Sequence, residues 1–412
     1  MNTEILSVVN NGNTSSMQAG IQRGIPMTEI RNWTVRQALS VLAGTLLAAC
    51  AGRLAAQTFD VGSNGSLGDV VISETTTIDL PPDGKLHYKS LTVNAGAEMR
   101  FNRNVRNTPV FILSQGDVVV NGMIRVSGTA GNGNDGGTPG PGGFGGGKPG
   151  FGTTSPGFGY GPGGATFGAN GLCFCVNDAG GGGFGSAGSR NSKTYGNSFL
   201  IPLIGGSGGG GTFGSPGSGG GGGGGAVQIA ANTRVTVAGS IQAHGGNNAG
   251  SSVNGGSGGA IRLVALRVDG AGQLNAEGGG GGGRGRIRVD TLDRSGISFR
   301  FDGVSSVGGN LFSLPTVSPR LDTIEVAGNA VPEGSVPLTF LLGFGSPPER
   351  MVKVQARDFG KVVPIRITLT PDTGSPVIVD AEVDNTVNNP ATVDVPVTFP
   401  VNSKVTVHCW TR

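Results

Sequence analysis

AVQIAANTRVTVAGSIQAHGG, residues Ala226 to Gly246, reads as a short alternating strand, a polar turn, a Val-x-Val strand, a glycine bend and a third alternating strand closed by glycine. The same order of parts recurs upstream in VFILSQGDVVVNGMIRVSG, Val110 to Gly128, and downstream in AIRLVALRVDGAGQLNAEGG, Ala260 to Gly279. A partial copy, KSLTVNAGAEMRFN at Lys89 to Asn102, precedes them, and GRIRVD at Gly285 to Asp290 trails them. One copy is too thin to bury its own apolar face, so copies must stack on their neighbours. The reading is an all-β chain built around a parallel β-solenoid, with Ala226 to the matching Ala260 as one long coil.

Side chains in a strand change faces at every residue, which sorts the copies into inward columns. Ile124, Val126, Ile241, Ala243, Leu274 and Ala276 form one column. Val118, Val120, Val235, Val237, Leu266 and Val268 form a second, and Val227, Ile229, Ile261, Leu263, Ile287 and Val289 a third. Arg125, Gln242 and Asn275 then point outward, and Ser127, His244 and Glu277 share the next outward position. Rungs one strand apart put His244 and Glu277 roughly 4.8 Å from each other, near enough for a carboxylate to orient an imidazole. These three are the catalytic candidates, set against the plainer reading of a surface ladder. Column position alone supplies neither nucleophile-to-base geometry nor an oxyanion site.

The 412 residues include 81 glycines and only 13% charged residues, against averages of about 7% and 25%. Net charge is +3 and thinly spread, whereas nucleic-acid binding calls for basic residues clustered with aromatics, so that partner class is excluded. Of four cysteines, Cys173 and Cys175 stand one residue apart and Cys409 near the far end. A Cys173–Cys175 bridge would close a strained small ring, and pairing of Cys409 with either stays open. No C-x-x-C pair with matching histidines points to zinc. The run Gly219 to Gly225 precedes a strand and lacks the Gly-Lys-Ser/Thr of a phosphate loop. Neither a cofactor nor a metal is expected.

From Met27 the chain reads MTEIRNWTVRQALSVLAGTLLAACAGRLAAQ. Arg31 and Arg36 form a basic start, Ala38 to Ala49 an apolar stretch, and small residues follow, the order of parts of a secretory signal. Residues 1–26 are polar and patternless, which makes Met27 a candidate start. LAAC, Leu47 to Cys50, resembles a bacterial lipoprotein box that would carry a lipid on Cys50; cleavage after Ala56 is the competing route. Both routes place the protein outside the cell or on its outer surface, with the lipid at Cys50 as its one membrane attachment.

Five segments follow. Residues 1–56 are the leader. Residues 57–128 hold an N-terminal cap and first coils, turned by PPDG at Pro81 to Gly84, where Pro fixes φ and Gly supplies φ > 0. Residues 129–225 are a glycine-rich, low-complexity insertion without strand periodicity. It is either a solvated loop or a set of polyglycine-like runs packed on the flank, which glycine permits because backbones approach closely. Residues 226–317 hold the remaining coils and a linker. Residues 318–412 carry seven short alternating runs broken by Pro, Gly, Asn and Asp, the pattern of an Ig-like β-sandwich, with Trp410 and Phe340 expected in its core.

The patterned coils from Asp69 to Asp290 resemble right-handed parallel β-helices of the pectin-lyase and autotransporter-passenger kind, and most nearly the glycine-rich exported bacterial β-helix proteins. That resemblance implies the right hand of the winding. AHGG at Ala243 to Gly246 and RIR at Arg286 to Arg288 are similar to the Gly-His-Gly and Arg-Ile-Lys of polygalacturonase-type members, but their aspartate pair has no counterpart here. Without paired carboxylates, glycoside hydrolysis lacks its acid and base. The expected role is a secreted or cell-surface structural or adhesive protein that binds a glycan, a matrix component or a surface protein through its flank. A polysaccharide lyase or glycoside hydrolase on the same scaffold is the alternative.

Overall fold

The computed structural model describes residues 59–152, 154–167, 179–213, 217–248, 253–315, 317, 319–335 and 338–412. The leader, with Met27, Cys50 and Ala56, and the pair Cys173 and Cys175 lie outside the described residues. The protein is essentially all-β, and its only helix among the described residues is a single 3-10 turn at Ser189–Asn191.

Before the glycine-rich segment come β1 (Asp69–Ile72), β2 (Thr76–Asp79), β3 (Lys85–Tyr88), β4 (Ser90–Val93), β5 (Glu98–Asn102), β6 (Val110–Ser114), β7 (Val118–Val120) and β8 (Met123–Arg125). After it come β9 (Ala226–Val237), β10 (Ser240–Gln242), β11 (Ala260–Asp269), β12 (Gln273–Asn275), β13 (Arg286–Asp293), β14 (Arg300–Asp302) and β15 (Val304–Gly308). The C-terminal part holds β16 (Arg320–Val326), β17 (Asn329–Ala330), β18 (Leu338–Leu341), β19 (Glu349–Arg357), β20 (Val362–Pro371), β21 (Val377–Asp384), β22 (Ala391–Thr398) and β23 (Lys404–Thr411).

The first fifteen strands build two parallel sheets. One has nine strands along the path β1-β4-β7-β9-β11-β13-β15, with β3 and β6 alongside; the other runs β14-β12-β10-β8-β5-β2. Val110 pairs with Val227, Val227 with Ile261, and Ile261 with Ile287. The chain therefore leaves the sheet after the first full copy and returns one rung later, with the glycine-rich segment as an excursion between paired strands. Inner faces of both sheets share one core, in which Ile112, Ile124, Ile229, Ile241, Ile261 and Leu274 are fully buried. Burying each such side chain contributes roughly 1.5–3 kcal/mol, and this is what holds the rungs in register.

One predicted inward residue is on the wrong side. Leu266 is exposed, because the β9–β11 register shifts between Ala265 and Arg267, and Val268 takes the place opposite Val235. A bulge adds one residue and reverses side-chain parity beyond it.

The outer face of the nine-stranded sheet is also covered. Ala230, Val264 and Leu113 pack under Val61, Phe59, Leu311 and Leu314. Beside them Arg262 donates to Gln228 Oε1 at 2.7 Å and to Asp290 Oδ2 at 3.2 Å, while Arg288 donates to Asp290 Oδ1 at 2.6 Å. Asp290 thus compensates two buried guanidinium groups, and burial still pulls the Arg262 guanidinium below its ordinary range.

The glycine runs within the insertion pack backbone against backbone. Along Gly219 to Gly225 the N–H partners repeat every three residues: Gly219, Gly222 and Gly225 donate to Asn132, Thr129 and Val126; Gly220 and Gly223 to Gly147 and Phe144; Gly221 and Gly224 to Asn254 and Ser257. Its carbonyls accept in turn from Gly137 and Gly140, from Gly206 and Gly209, and from Gly246. A period of three is that of a polyproline II-type helix, which has no internal hydrogen bonds and offers all its backbone groups to neighbours. A Cβ on Gly223 would stand 2.0 Å from Gly206 O, and one on Gly221 1.9 Å from Gly246 O. Of the two sequence readings, packed runs describe these residues.

The last eight strands form two antiparallel sheets of four, β17-β16-β19-β22 and β18-β23-β20-β21. They enclose a second core of Val326, Val352, Val354, Ile365, Ile367, Leu369, Val405 and Val407, with Phe399 its largest buried ring and Phe340 at its margin. Trp410 is not in that core. On β23 the side chains of Val405, Val407 and Cys409 face inward, which turns Thr406, His408 and Trp410 to the opposite face.

Candidate functional site

Ser127, His244 and Glu277 do stand on successive rungs: Gly128 N–H donates to His244 O and Gly245 N–H to Glu277 O. All three are half-buried. Burial pushes the His244 imidazole down and the Glu277 charge opposes it. The hydrogen bond joining Ser127 to His244 runs from the His244 main-chain N–H to Ser127 Oγ at 3.2 Å. No hydrogen bond joins Ser127 Oγ to the His244 imidazole or the imidazole to the Glu277 carboxylate among the described residues, so the three form a ladder.

The two short motifs part company as well. Arg286 donates to Tyr195 O at 3.2 Å and lies over the Phe184 ring, while Arg288 is held by Asp290 and lies over Phe199. Both arginines fasten the glycine-rich segment and the outer face. His87 accepts from the Asn64 N–H through Nδ1 at 3.3 Å. Among the described residues no three His, Cys, Asp or Glu side chains gather as metal ligands would.

A recess of about 420 Å³ lies where the glycine runs meet the outward face of β23, within the roughly 300–1,000 Å³ of small-ligand sites. Phe144 and Tyr160 come from the glycine-rich segment. Phe144 is fixed by its O accepting from Gly223 and its N–H donating to Gly206, and Tyr160 by its N–H to Gly145 O. The segment is moored to the sheets by Lys148 on Asp372 at 3.7 Å and by Gly374 N–H on Pro156 O. Trp410 and His408 face these rings from β23: Phe144 stands edge-on to His408 at 5.6 Å and to Trp410 at 6.3 Å, and Tyr160 lies 6.0 Å from His408. Three rings thus surround one imidazole.

That imidazole is itself buried, at 9% exposure, and its Nδ1 has no hydrogen-bond partner. Burial pushes it down to about 4, so it is neutral at ordinary pH. Its cross-strand neighbour is Thr368, 7% exposed, whose Oγ1 is also without a partner. Two orphaned polar atoms on one cross-strand pair are unusual, since a buried donor or acceptor left unpaired costs about 1–3 kcal/mol. Cys409, next in the chain, faces the other way and its free thiol is pushed up to about 12 by burial, which makes it inert. Arg103 stands at the exposed rim.

None of these recess residues is among the sequence candidates. The signal present was the parity of KVTVHCWT: counted from the apolar Val405 and Val407, it puts two rings and a threonine on the face opposite the core. Comparison with family models, curated proteins and solved structures finds no match.

Proposed function

We propose that this chain is an exported, extracellular adhesive protein that holds a glycan in the recess of Phe144, Tyr160, His408 and Trp410. In this reading the parallel sheets are the rungs of a right-handed β-solenoid, as in the β-helices it resembles, and the C-terminal sheets an Ig-like β-sandwich. The observation that carries the function is the set of three rings, Phe144, Tyr160 and Trp410, around the His408 imidazole in that recess. Sugars present flat C–H faces that pack on aromatic rings and hydroxyls that both donate and accept, and such mixed surfaces suit an aromatic recess with a few polar groups at its rim. No carboxylate lines the recess, so the acid and base of glycoside hydrolysis are missing there, which favours binding over cleavage.

The chain has two tryptophans, Trp33 and Trp410. With Trp33 replaced by Phe, tryptophan emission reports on the recess alone. Titration with a panel of oligosaccharides is expected to shift or quench that emission saturably, with a matching calorimetric signal that Trp410→Ala abolishes. Absence of any saccharide that does so would refute the reading.

A further inference from the structure

We propose that this chain pairs with a second copy of itself through the free edge of β18, antiparallel and about a two-fold axis at Phe340. The inference goes beyond the binding reading and stands without it.

The first observation is the edge itself. β18 pairs with β23 on one side and ends its four-stranded sheet on the other. A free edge offers a row of unpaired N–H and C=O groups, which charged side chains normally guard. Such charges stand on β1 (Asp69), β2 (Asp79), β14 (Arg300), β21 (Asp380) and β22 (Asp394), which end the sheets elsewhere. β18 reads Leu-Thr-Phe-Leu and carries none. β17 is only two residues long, and β15, also uncharged, has Ser305, Ser306 and Gly308 among its five residues, which leaves it little to bury.

The second observation is the apolar surface left open there. Leu338, Phe340 and Leu342 pack against the C-terminal core but are only partly buried. Parity turns Thr339 and Leu341 to the outer face, where Leu341 is 62% exposed. Just beyond, Phe344 is 95% exposed between two glycines. Val401, also exposed, lies in the turn that leads into Lys404, the cross-strand partner of Leu341. A grouped apolar surface of this kind marks an interaction site.

The third observation is the fit to a second copy. Residues directly opposite in an antiparallel pair share a face, so an axis through Phe340 sets that ring against its twin, Leu338 against Leu342, and Thr339 against Leu341. Inward side chains then meet inward ones, and the core runs on from one copy into the other. The same axis opposes the two ends of the strand. Past its end Glu349 is exposed and makes no ion pair among the described residues; before its start Arg106 lies against Gly334 and makes none either. Each end of the paired strands thus gathers an acid from one copy and a base from the other. Antiparallel strands of one sheet keep a common outer face, and the recess is built on the outer face of β23. Both recesses therefore open to the same side, which under the glycan reading gives one assembly two binding sites.

A five-residue edge belongs to the weak class of interfaces, with a dissociation constant of about 10 μM. Sedimentation velocity of the full chain from about 1 to 100 μM is expected to show monomer passing to dimer and stopping there, because a two-fold contact is closed. Hydrogen exchange of the amides of residues 338–342 is expected to slow about four-fold between those concentrations, while residues 304–308 stay unchanged. Thr339→Lys puts a charge on the exposed face of the edge and is expected to hold the chain monomeric at about 100 μM without lowering its melting temperature at about 1 μM. Ser305→Lys on β15 is expected to leave the dimer intact. The exchange of the unaltered chain tests the edge even where a variant folds poorly. A chain monomeric throughout, a dimer that survives Thr339→Lys or is lost in Ser305→Lys, protection that grows at 304–308 instead, or assembly past two copies would each overturn the proposal.

Discussion

The parallel sheets and the glycine runs lie against each other and are held by opposite means. In the sheets, backbone hydrogen bonds set the spacing and apolar side chains fill the interior: Ile229, Ile241, Ile261 and Leu263 are wholly buried. In the glycine runs the backbone fills the space itself, and Gly219 to Gly225 is packed by hydrogen bonds to runs on several sides with no side chain between. The sheets tolerate change where a side chain can shrink; the runs tolerate none where a carbonyl sits 2 Å from a would-be Cβ. Low complexity is thus no guide to looseness when glycine lets chains approach within hydrogen-bonding distance on every flank.

The sharpest way to break this contrast is Gly223→Val, whose Cβ would meet Gly206 O at 2.0 Å. Backbone cannot withdraw as a side-chain tip can, so the cost is expected to be on the order of 5 kcal/mol, read as a fall in the urea midpoint or loss of the folded chain. Gly133, in the same segment, is exposed and its would-be Cβ finds only Gly217 O, at 3.9 Å. Gly133→Ala is expected to change stability by less than about 1 kcal/mol. Equal effects at the two sites would mean the runs do not pack in solution.

Next in size is the core of the sheets. Leu263→Ala leaves a cavity between the two parallel sheets and is expected to cost about 4 kcal/mol. Leu266→Ala, three residues on and exposed at the bulge, is expected to cost under about 1 kcal/mol. Chemical denaturation of both variants checks the register directly.

The smallest effect concerns the seam between the glycine runs and the C-terminal sheets. Burial holds His408 at about 4 against an ordinary 6.5. The unfolded chain therefore binds a proton that the folded one refuses between those values, and stability falls as pH drops from 6.5 to about 4, then levels off. The loss is on the order of 3 kcal/mol. Arg103, Tyr160 and Cys409 are the other charged or titratable groups lining the recess, each with an ordinary range far above this window. His408→Phe is expected to flatten that limb of a plot of denaturation midpoint against pH, and an unchanged slope would show the ring is not buried there.

Much of the frame was legible in residue order. Alternation placed Ile124, Ile241 and Leu274 on one inward column, and they pair as neighbours across β8, β10 and β12. The match of Val110 to Val227 survived the long excursion between them because pairing depends on the pattern of each rung and not on the length of chain joining them. Leu266 departs from its inward column because a bulge leaves no mark in an alternating run. The size of the Trp410 ring points to the core, but the parity of Val405 and Val407 puts it on the other face, and parity decides because side-chain direction in a strand is fixed by the backbone.

What the amino-acid order determined on its own is local: which residues alternate, where Pro81 to Gly84 must turn, which glycines can lie flat against a neighbour. Those properties follow from φ, ψ and side-chain volume within a few residues. What only the tertiary structure decided is the recess. Phe144 and Tyr160 are carried to His408 and Trp410 by hydrogen bonds between glycine runs far apart in the chain. A glycine carries no side chain to say which neighbour its N–H will choose, so that choice, and the site it creates, exists only once every run is in place.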